Sequence, residues 1–408
     1  MTTTQGRRPA DPGARPPRAA VAAVQRLFRA ETPEFFVLLG TTLFLVLFGL
    51  VMVLSSSSIE SRASDGDFFA VAARQAVFAA IGLPVMLIAA RAPIVFWKRW
   101  AGWAIALAVV LQFLVFTPLG YETGGNRNWI SLGSITAQPS ELVKFALVIW
   151  LAWVLTTKAD LLNDWRHVLL PIGPVVAVAI GLVLAGNDLG TAIILLMTTL
   201  GALFYAGVRL GWIALASVGI ALVGAVFAVA SDSRRARIDA WLSGCADPAD
   251  YSGDCWQTVH GWQALAHGGL VGVGLGNSTG KWNWIPEAHN DFIFAIIGEE
   301  LGMLGALLVL ALFAVLTVCF VRIVRMSRDP FAKIATSAAM VWIVGQAFVN
   351  IAVVLGVLPV LGVPLPLVSA GGSALITTLA AIGVVLSFAR HRSVDPAPVA
   401  RRPGTARG

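Results

Sequence analysis

FFVLLGTTLFLVLFGLVMVL, residues 35–54, runs for twenty positions without a charged side chain. Twenty residues of α-helix rise about 30 Å, the thickness of the hydrocarbon core of a bilayer. A helix at a protein–water boundary keeps a polar face. This stretch has none, and Leu304–Val321 repeats the pattern. The whole chain is built of such blocks. Of 408 residues, 57% are apolar and 12% charged, about half the charged share of a soluble domain. Mean hydropathy is +0.80. These values exclude a soluble enzyme, a disordered chain and a secreted disulfide scaffold. The unbroken apolar runs also exclude a transmembrane barrel, whose strands alternate apolar and polar residues.

Apolar blocks between polar breaks predict ten spans, near 35–55, 69–90, 100–119, 139–156, 168–186, 189–207, 211–230, 292–321, 334–356 and 370–389. The expected fold is all-α, a polytopic integral membrane protein with one large external loop at 231–291 and a Pro/Gly-rich re-entrant external loop. The eighth block is long enough to tilt or to project beyond the bilayer. Residues 1–33 read as a disordered basic cytoplasmic tail, in which 18–31 can form an amphipathic helix on the inner leaflet. They carry no small-residue cleavage motif of a secretory signal. Residues 34–390 form the transmembrane domain, and 391–408 a second basic cytoplasmic tail.

An even number of spans puts both termini on one side. With that side cytoplasmic, its segments hold 21 of the 29 Lys and Arg residues and the external segments hold 6. The net charge of +7 therefore reads as membrane topology and contact with anionic lipid rather than affinity for nucleic acid.

Ionisable residues within an apolar chain are costly and mark function by default. In GGNRNWISLGSITAQPSELVK, residues 124–144, Pro139 opens a helix, and Glu141 and Lys144 share one face at i,i+3. They form either a structural ion pair or, with Arg127, a site for an anionic head group. In GNDLGT, residues 186–191, Asp188 is placed to cap the following helix. The loop 231–291 carries Cys245 and Cys255 on the oxidising face, a disulfide candidate. Cys319, within span eight, reads as inert. The loop's GGLVGVGLGNSTGK does not fit a phosphate loop, and its glycines are expected to let backbone lie close to a ligand. In WIPEAHNDFIFAIIGEELG, residues 284–302, Asp291 stands where the loop enters span eight. There it is either a helix cap or a general base with a raised pKa. Pro359, Pro364 and Pro366 in GVLPVLGVPLPLVSAGGS, residues 356–373, forbid a continuous helix. Irregular backbone at membrane depth must be buried in protein or line a cavity.

Together with RRARIDAWL, residues 234–242, these motifs resemble in content and order the SEDS family (shape, elongation, division and sporulation proteins), over most of residues 35–390. PEAH before NDF, IIGEELG after it and SSSSIES closing span one are most like its division branch. Ala370, Asn187 and Asn290 depart from the commoner family pattern, and the paired-cysteine loop is an elaboration on it.

The resemblance implies a peptidoglycan glycosyltransferase that polymerises lipid II at the external membrane face during septal wall synthesis. Asp291 would be its catalytic carboxylate, and Glu141, Lys144, Arg127, Gln138, Ser140, Asp188, His289 and Ser369 would bind substrate. Lys144, Arg127 or a divalent cation (Mg2+ or Mn2+) would offset the charge of the leaving diphosphate. No spacing demands a metal; Asp291 and Glu141 permit one. The implied partners are a class B penicillin-binding protein with transpeptidase activity, other division proteins and membrane lipids. The rival readings are a lipid II transporter, an elongation-type polymerase and a non-catalytic scaffold. A transporter needs polar groups on a path from both sides, whereas these motifs crowd one.

Overall fold

In a computed structural model the apolar blocks form helices joined at a polar, loop-rich end and a tighter opposite end. The structure describes residues 32–390 except 124, 134, 230–231, 246–252, 254 and 283. Both proposed tails, including the helix expected at 18–31, lie outside the described residues.

The membrane helices are α1 (Pro33–Asp65), α2 (Ala70–Ala89), α3 (Ile94–Leu114), α4 (Pro139–Thr157), α5 (Trp165–Ala185), α6 (Leu189–Tyr205), α7 (Leu210–Val229), α10 (Ile293–Met326), α11 (Pro330–Val354) and α12 (Gly372–Arg390). Among the described residues eight are long and apolar enough to cross a membrane, and α6, at 17 residues, is a shorter apolar helix. Two further helices, α8 (Asp232–Leu242) and α9 (Trp256–Gly268), belong to the large loop. Starts follow local chemistry. Thr32 Oγ1 accepts the Phe35 N–H before Pro33 opens α1, and Asp329 caps α11 ahead of Pro330.

Burial sorts the bundle. The spans of α4, α11 and α12 are 72–78% buried, whereas those of α2, α3 and α5 are 17–28% buried. The inner trio carries Glu141, Lys144, Gln346 and Asn350, and the outer helices present apolar sides outward, as lipid contact requires. At the tight end Lys98 pairs with Asp329 at 2.8 Å and Thr32 Oγ1 donates to Ala389 O.

Two features were not expected. First, residues 120–137 form a three-stranded antiparallel sheet: β1 (Gly120–Thr123), β2 (Asn126–Leu132) and β3 (Ile135–Ala137). Thr123 pairs with Asn126 at the end of the first hairpin. The sheet begins directly after the residues assigned to span three, and α3 is shifted toward the N-terminus of that span, running from Ile94 after Pro93 to Leu114 instead of 100–119. Second, α10 breaks at Gly302, where φ is +68°. There an added Cβ would stand 2.4 Å from Gly272 N. The stretch 303–326 alone can cross the hydrocarbon core, so 293–301 is a separate helical piece at the polar end.

Candidate active site

The re-entrant segment 356–371 frames the site. Its three prolines keep it irregular, and its polar groups are met by distant helices. Asn350 Nδ2 of α11 donates to Asp291 O at 2.6 Å and to Val363 O at 2.7 Å. Gln346 Nε2, one turn earlier, donates to Pro364 O at 2.9 Å. Ser369 Oγ donates to Asn290 O and accepts the Leu365 N–H, while Ala370 N donates to His289 O. Gln75 of α2 closes the far side, donating to Ser369 O and accepting from Gly371 N. The NDLGT motif meets the same segment: a Cβ on Gly190 would stand 2.3 Å from Leu361 O. Leu367, buried at φ +67°, holds a backbone conformation unusual for a branched side chain.

Asp291 sits on this frame and is 7% exposed. It does not cap α10: the cap position is Phe292, and no side chain caps the helix. The carboxylate faces Gln257 Nε2 of α9 at 3.4 Å. Burial first, and then the charge of Glu287, push its pKa up to about 7, against the opposing pull of His289 and Arg237. His289 lies 3.1 Å from Glu60 of α1. Burial disfavours its imidazolium, but Glu60 outweighs burial and the pKa is raised.

A second polar cluster lies under the segment, between α4, α6 and α11. Lys144 Nζ donates to Glu141 Oε1 at 2.8 Å and to Gln346 Oε1 at 3.0 Å, and stands over the Trp342 ring. Both partners of the ion pair are 2% exposed. Asp188 does cap α6, accepting the Thr191 N–H at 2.8 Å, and it also accepts from Gln138 Nε2 at 3.2 Å. Ser140 Oγ and Glu141 Oε2 are buried without a hydrogen-bond partner among the described residues. Arg127 is directed elsewhere: its guanidinium donates to Val115 O and Thr117 O at 3.1 Å each.

Within the glycine-rich stretch 268–281, Gly268 and Gly272 lie against the backbone of α10, whereas Gly269 and Gly276 face open space. A Cβ on Gly272 would stand 2.1 Å from Glu300 O, and Val273 N and Gly274 N donate to the Glu299 and Glu300 carbonyls. The Glu299 carboxylate gathers this loop. It accepts from Thr279 N and Oγ1 at 2.9 and 2.7 Å, from Gly280 N, and in a short bond from Ser278 Oγ. Glu300 accepts from Ser55 Oγ at 2.6 Å and lies 3.6 Å from Lys281.

The large loop contributes two groups that motif spacing did not single out. Gln257 reaches Asp291, and Arg237 of α8 lines a shallow cleft with Trp241, Thr258, Trp262 and Pro359. Arg237 is exposed and close enough to Asp291 to favour its charged form. Trp241 Nε1 donates to Gly356 O, tying α8 to the re-entrant segment. Cys245 and Cys255 are joined in a disulfide that links the end of α8 to the start of α9. Cys319 is unbonded and buried.

Closing this loop of ten residues contributes about 2–3 kcal/mol to local order on chain-entropy grounds. Cys245→Ser/Cys255→Ser is expected to speed amide exchange across 232–268 at least about tenfold. It should also lower activity several-fold by loosening Arg237 and Gln257. Exchange mass spectrometry on both forms checks this.

The family model for the cell cycle proteins FtsW, RodA and SpoVE matches residues 36–394. The "probable peptidoglycan glycosyltransferase FtsW" of Mycobacterium tuberculosis is 38% identical over 382 residues, which are 93% of this chain and 72% of that protein. Its Geobacter sulfurreducens counterpart is 37% identical over 354 residues, 86% of this chain and 94% of that one. Among solved structures, a chain of a peptidoglycan synthase complex that coordinates polymerization and crosslinking superposes with a TM-score of 0.70 at 26% identity, covering 88% of this chain and 98% of that one. The rod shape determining protein RodA of Thermus thermophilus superposes at 0.65 with 24% identity and the same coverage, a likeness of fold.

Proposed function

Because the chain belongs to the FtsW/RodA/SpoVE family of cell cycle proteins, we propose that it is a peptidoglycan glycosyltransferase that polymerises lipid II, with Asp291 as its general base. The observation that carries the catalytic assignment is a carboxylate, buried but facing the polar end, whose pKa is pushed to about 7. A base poised near the working pH is half available and still basic enough to take a proton.

Asp291 takes the proton of the acceptor sugar hydroxyl as that oxygen attacks the anomeric carbon of the donor. The anomeric carbon–oxygen bond breaks, and undecaprenyl diphosphate leaves with the electron pair. The leaving diphosphate is already a weak base, so no second carboxyl group is needed to protonate it, in contrast to glycoside hydrolysis. Its developing charge needs a positive partner. Lys144 is engaged by Glu141 and Gln346, and Arg127 by two backbone carbonyls. Arg237, exposed, lining a cleft against the re-entrant segment and close enough to Asp291 to favour its charged form, is the cation for the diphosphate. Lys144, Glu141, Gln138 and Asp188 instead hold α4, α6 and α11 in place under the re-entrant segment.

A divalent cation fits this arrangement poorly. Glu141, the second carboxylate named for one, is paired with Lys144. Among the described residues no three carboxylate, His or Cys groups converge as ligands. No step here runs through a metal.

Among the described residues the buried ionisable groups Glu141, Lys144, Asp188, Asp291, Glu299 and Glu300 gather toward one end, an asymmetry that favours polymerase over transporter. The Lys/Arg bias supports a plasma-membrane placement with both termini cytoplasmic and the polar end external. The similarity to division proteins named FtsW supports a septal role. The likeness to a chain from a synthase complex supports a transpeptidase partner of the class B penicillin-binding type.

The test is lipid II polymerisation by purified protein reconstituted with its transpeptidase, with glycan resolved on gels. Wild type should yield polymer and release undecaprenyl diphosphate. Arg237→Ala should lower the rate by about 10²–10³-fold, with Arg237→Lys in between. No polymer from a folded wild-type complex would contradict the assignment.

A further inference from the structure

The two ends of α9 carry different chemistry. Beyond its C-terminus Leu270, Val271 and Leu275 are exposed, aliphatic side chains suited to lipid. Its first turn instead presents rings in a polar setting. Trp256 and His260, one helical turn apart, lie 4.0 Å centroid to centroid. Trp284 joins them from the following loop, 5.9 Å from Trp256 with planes 9° apart, and 5.4 Å from His260. Trp284 is 52% exposed, and Trp256 and His260 are half-buried. Neither tryptophan belongs to the main hydrophobic core of the bundle.

This stack adjoins the candidate base. Gln257, the neighbour of Trp256, reaches Asp291 Oδ1 and also donates to Pro286 O at 2.9 Å, two residues beyond Trp284. An aromatic face is apolar and carries partial negative charge. A β-linked hexopyranose has a matching face of axial C–H bonds, apolar and weakly positive, and places its hydroxyl and amide groups at the rim. An exposed, pre-stacked set of rings binds such a face with little ordering cost, because the rings are already fixed.

We propose that Trp256, His260 and Trp284 form a platform that binds the glycan strand, a β-1,4-linked chain of N-acetylated hexoses, beside Asp291. The inference rests on the polymerase reading, since it is the chemistry at Asp291 that brings a glycan to this face. Gln257 then has two roles: one side bears on the carboxylate, and the other marks where the platform begins. Holding several sugars of the strand keeps it on the enzyme between additions, so the platform sets product length.

The experiment uses the full chain in lipid nanodiscs with its transpeptidase, and a β-1,4-linked N-acetylglucosamine hexamer as probe. Wild type and Asp291→Asn should bind the hexamer alike. Trp284→Ala should weaken binding about tenfold, and Trp284→Phe about two- to threefold, because a smaller ring keeps part of the face. His260→Ala, inside the stack, supplies a second variant should Trp284→Ala fold poorly. In polymerisation from lipid II, Trp284→Ala should shift the glycan toward chains several-fold shorter. Equal hexamer affinity in wild type, Trp284→Ala and His260→Ala would overturn the platform. So would quenching of Trp284 emission by acyl-brominated lipid, which would make it a membrane anchor. If wild type makes no polymer yet binds the hexamer through Trp284, the polymerase reading fails while the glycan site stands.

Discussion

Asp291→Asn is expected to abolish glycan polymerisation and to make the folded protein more stable at neutral and alkaline pH. Removing a general base costs about 10²–10⁴-fold in rate, and asparagine keeps the shape of the side chain. The stability effect has the opposite sign because the native fold strains this carboxylate. Its folded pKa of about 7 lies above the ordinary value near 4. The native state therefore holds the proton more tightly than the unfolded chain does. The resulting stabilisation is complete below about pH 4 and is lost as pH rises through 7. At high pH the ionised group costs on the order of 2–4 kcal/mol, a cost that asparagine avoids. Thermal melting of the two forms should converge at acid pH and separate above pH 7, with the variant higher. A variant that loses activity and melts lower at every pH would mean that Asp291 holds the fold together instead.

The largest loss of stability is expected from breaking the Glu141–Lys144 pair. Glu141→Ala leaves the Lys144 ammonium buried with Gln346 as its remaining hydrogen-bond partner. Removing one member of a buried pair costs about 3–5 kcal/mol, and the apolar surroundings of α4 offer little relief. Glu141→Leu/Lys144→Met removes both charges and should recover most of that loss, because an apolar pair of similar volume fits an apolar site. Folded yield and melting in detergent measure both effects. The double variant also separates two roles. If the pair only secures α4 against α11, the refolded double variant should polymerise. If it is inactive although stable, Lys144 takes part in substrate binding.

The membrane architecture was legible because apolar blocks of bilayer length have few alternative readings. Charged positions were legible for the same reason: Asp291, Glu141, Lys144 and Asp188 stand out against an apolar chain. The amides were harder to see. Gln75, Gln257, Gln346 and Asn350 are uncharged, and their partners lie far away in sequence, as with Gln75 and Ser369, 294 positions apart. Gln75, Gln346 and Asn350 satisfy the folded re-entrant segment, and Gln257 the loop that leads into α10. The sheet at 120–137 carried a usable signal in the Gly124–Gly125 pair between two short polar runs, although strands of three to seven residues are brief beside spans of twenty. The glycine-rich loop was legible only in part. Close backbone approach does require glycine at Gly268 and Gly272, where the neighbour is the backbone of α10. Arg127 and Lys144 do lie toward the polar end, yet which cation is available depends on who already holds it, and that is a property of the fold.

The most direct test of Asp291 as the base is the pH dependence of the polymerisation rate in wild type and in Glu287→Gln. Glu287 is exposed and raises the pKa of Asp291 through its charge. The rate should climb with pH through an inflection near 7, and removing the Glu287 charge should move that inflection to lower pH. A rate that is flat between about pH 5.5 and 8.5, or an inflection that Glu287→Gln leaves in place, would contradict it.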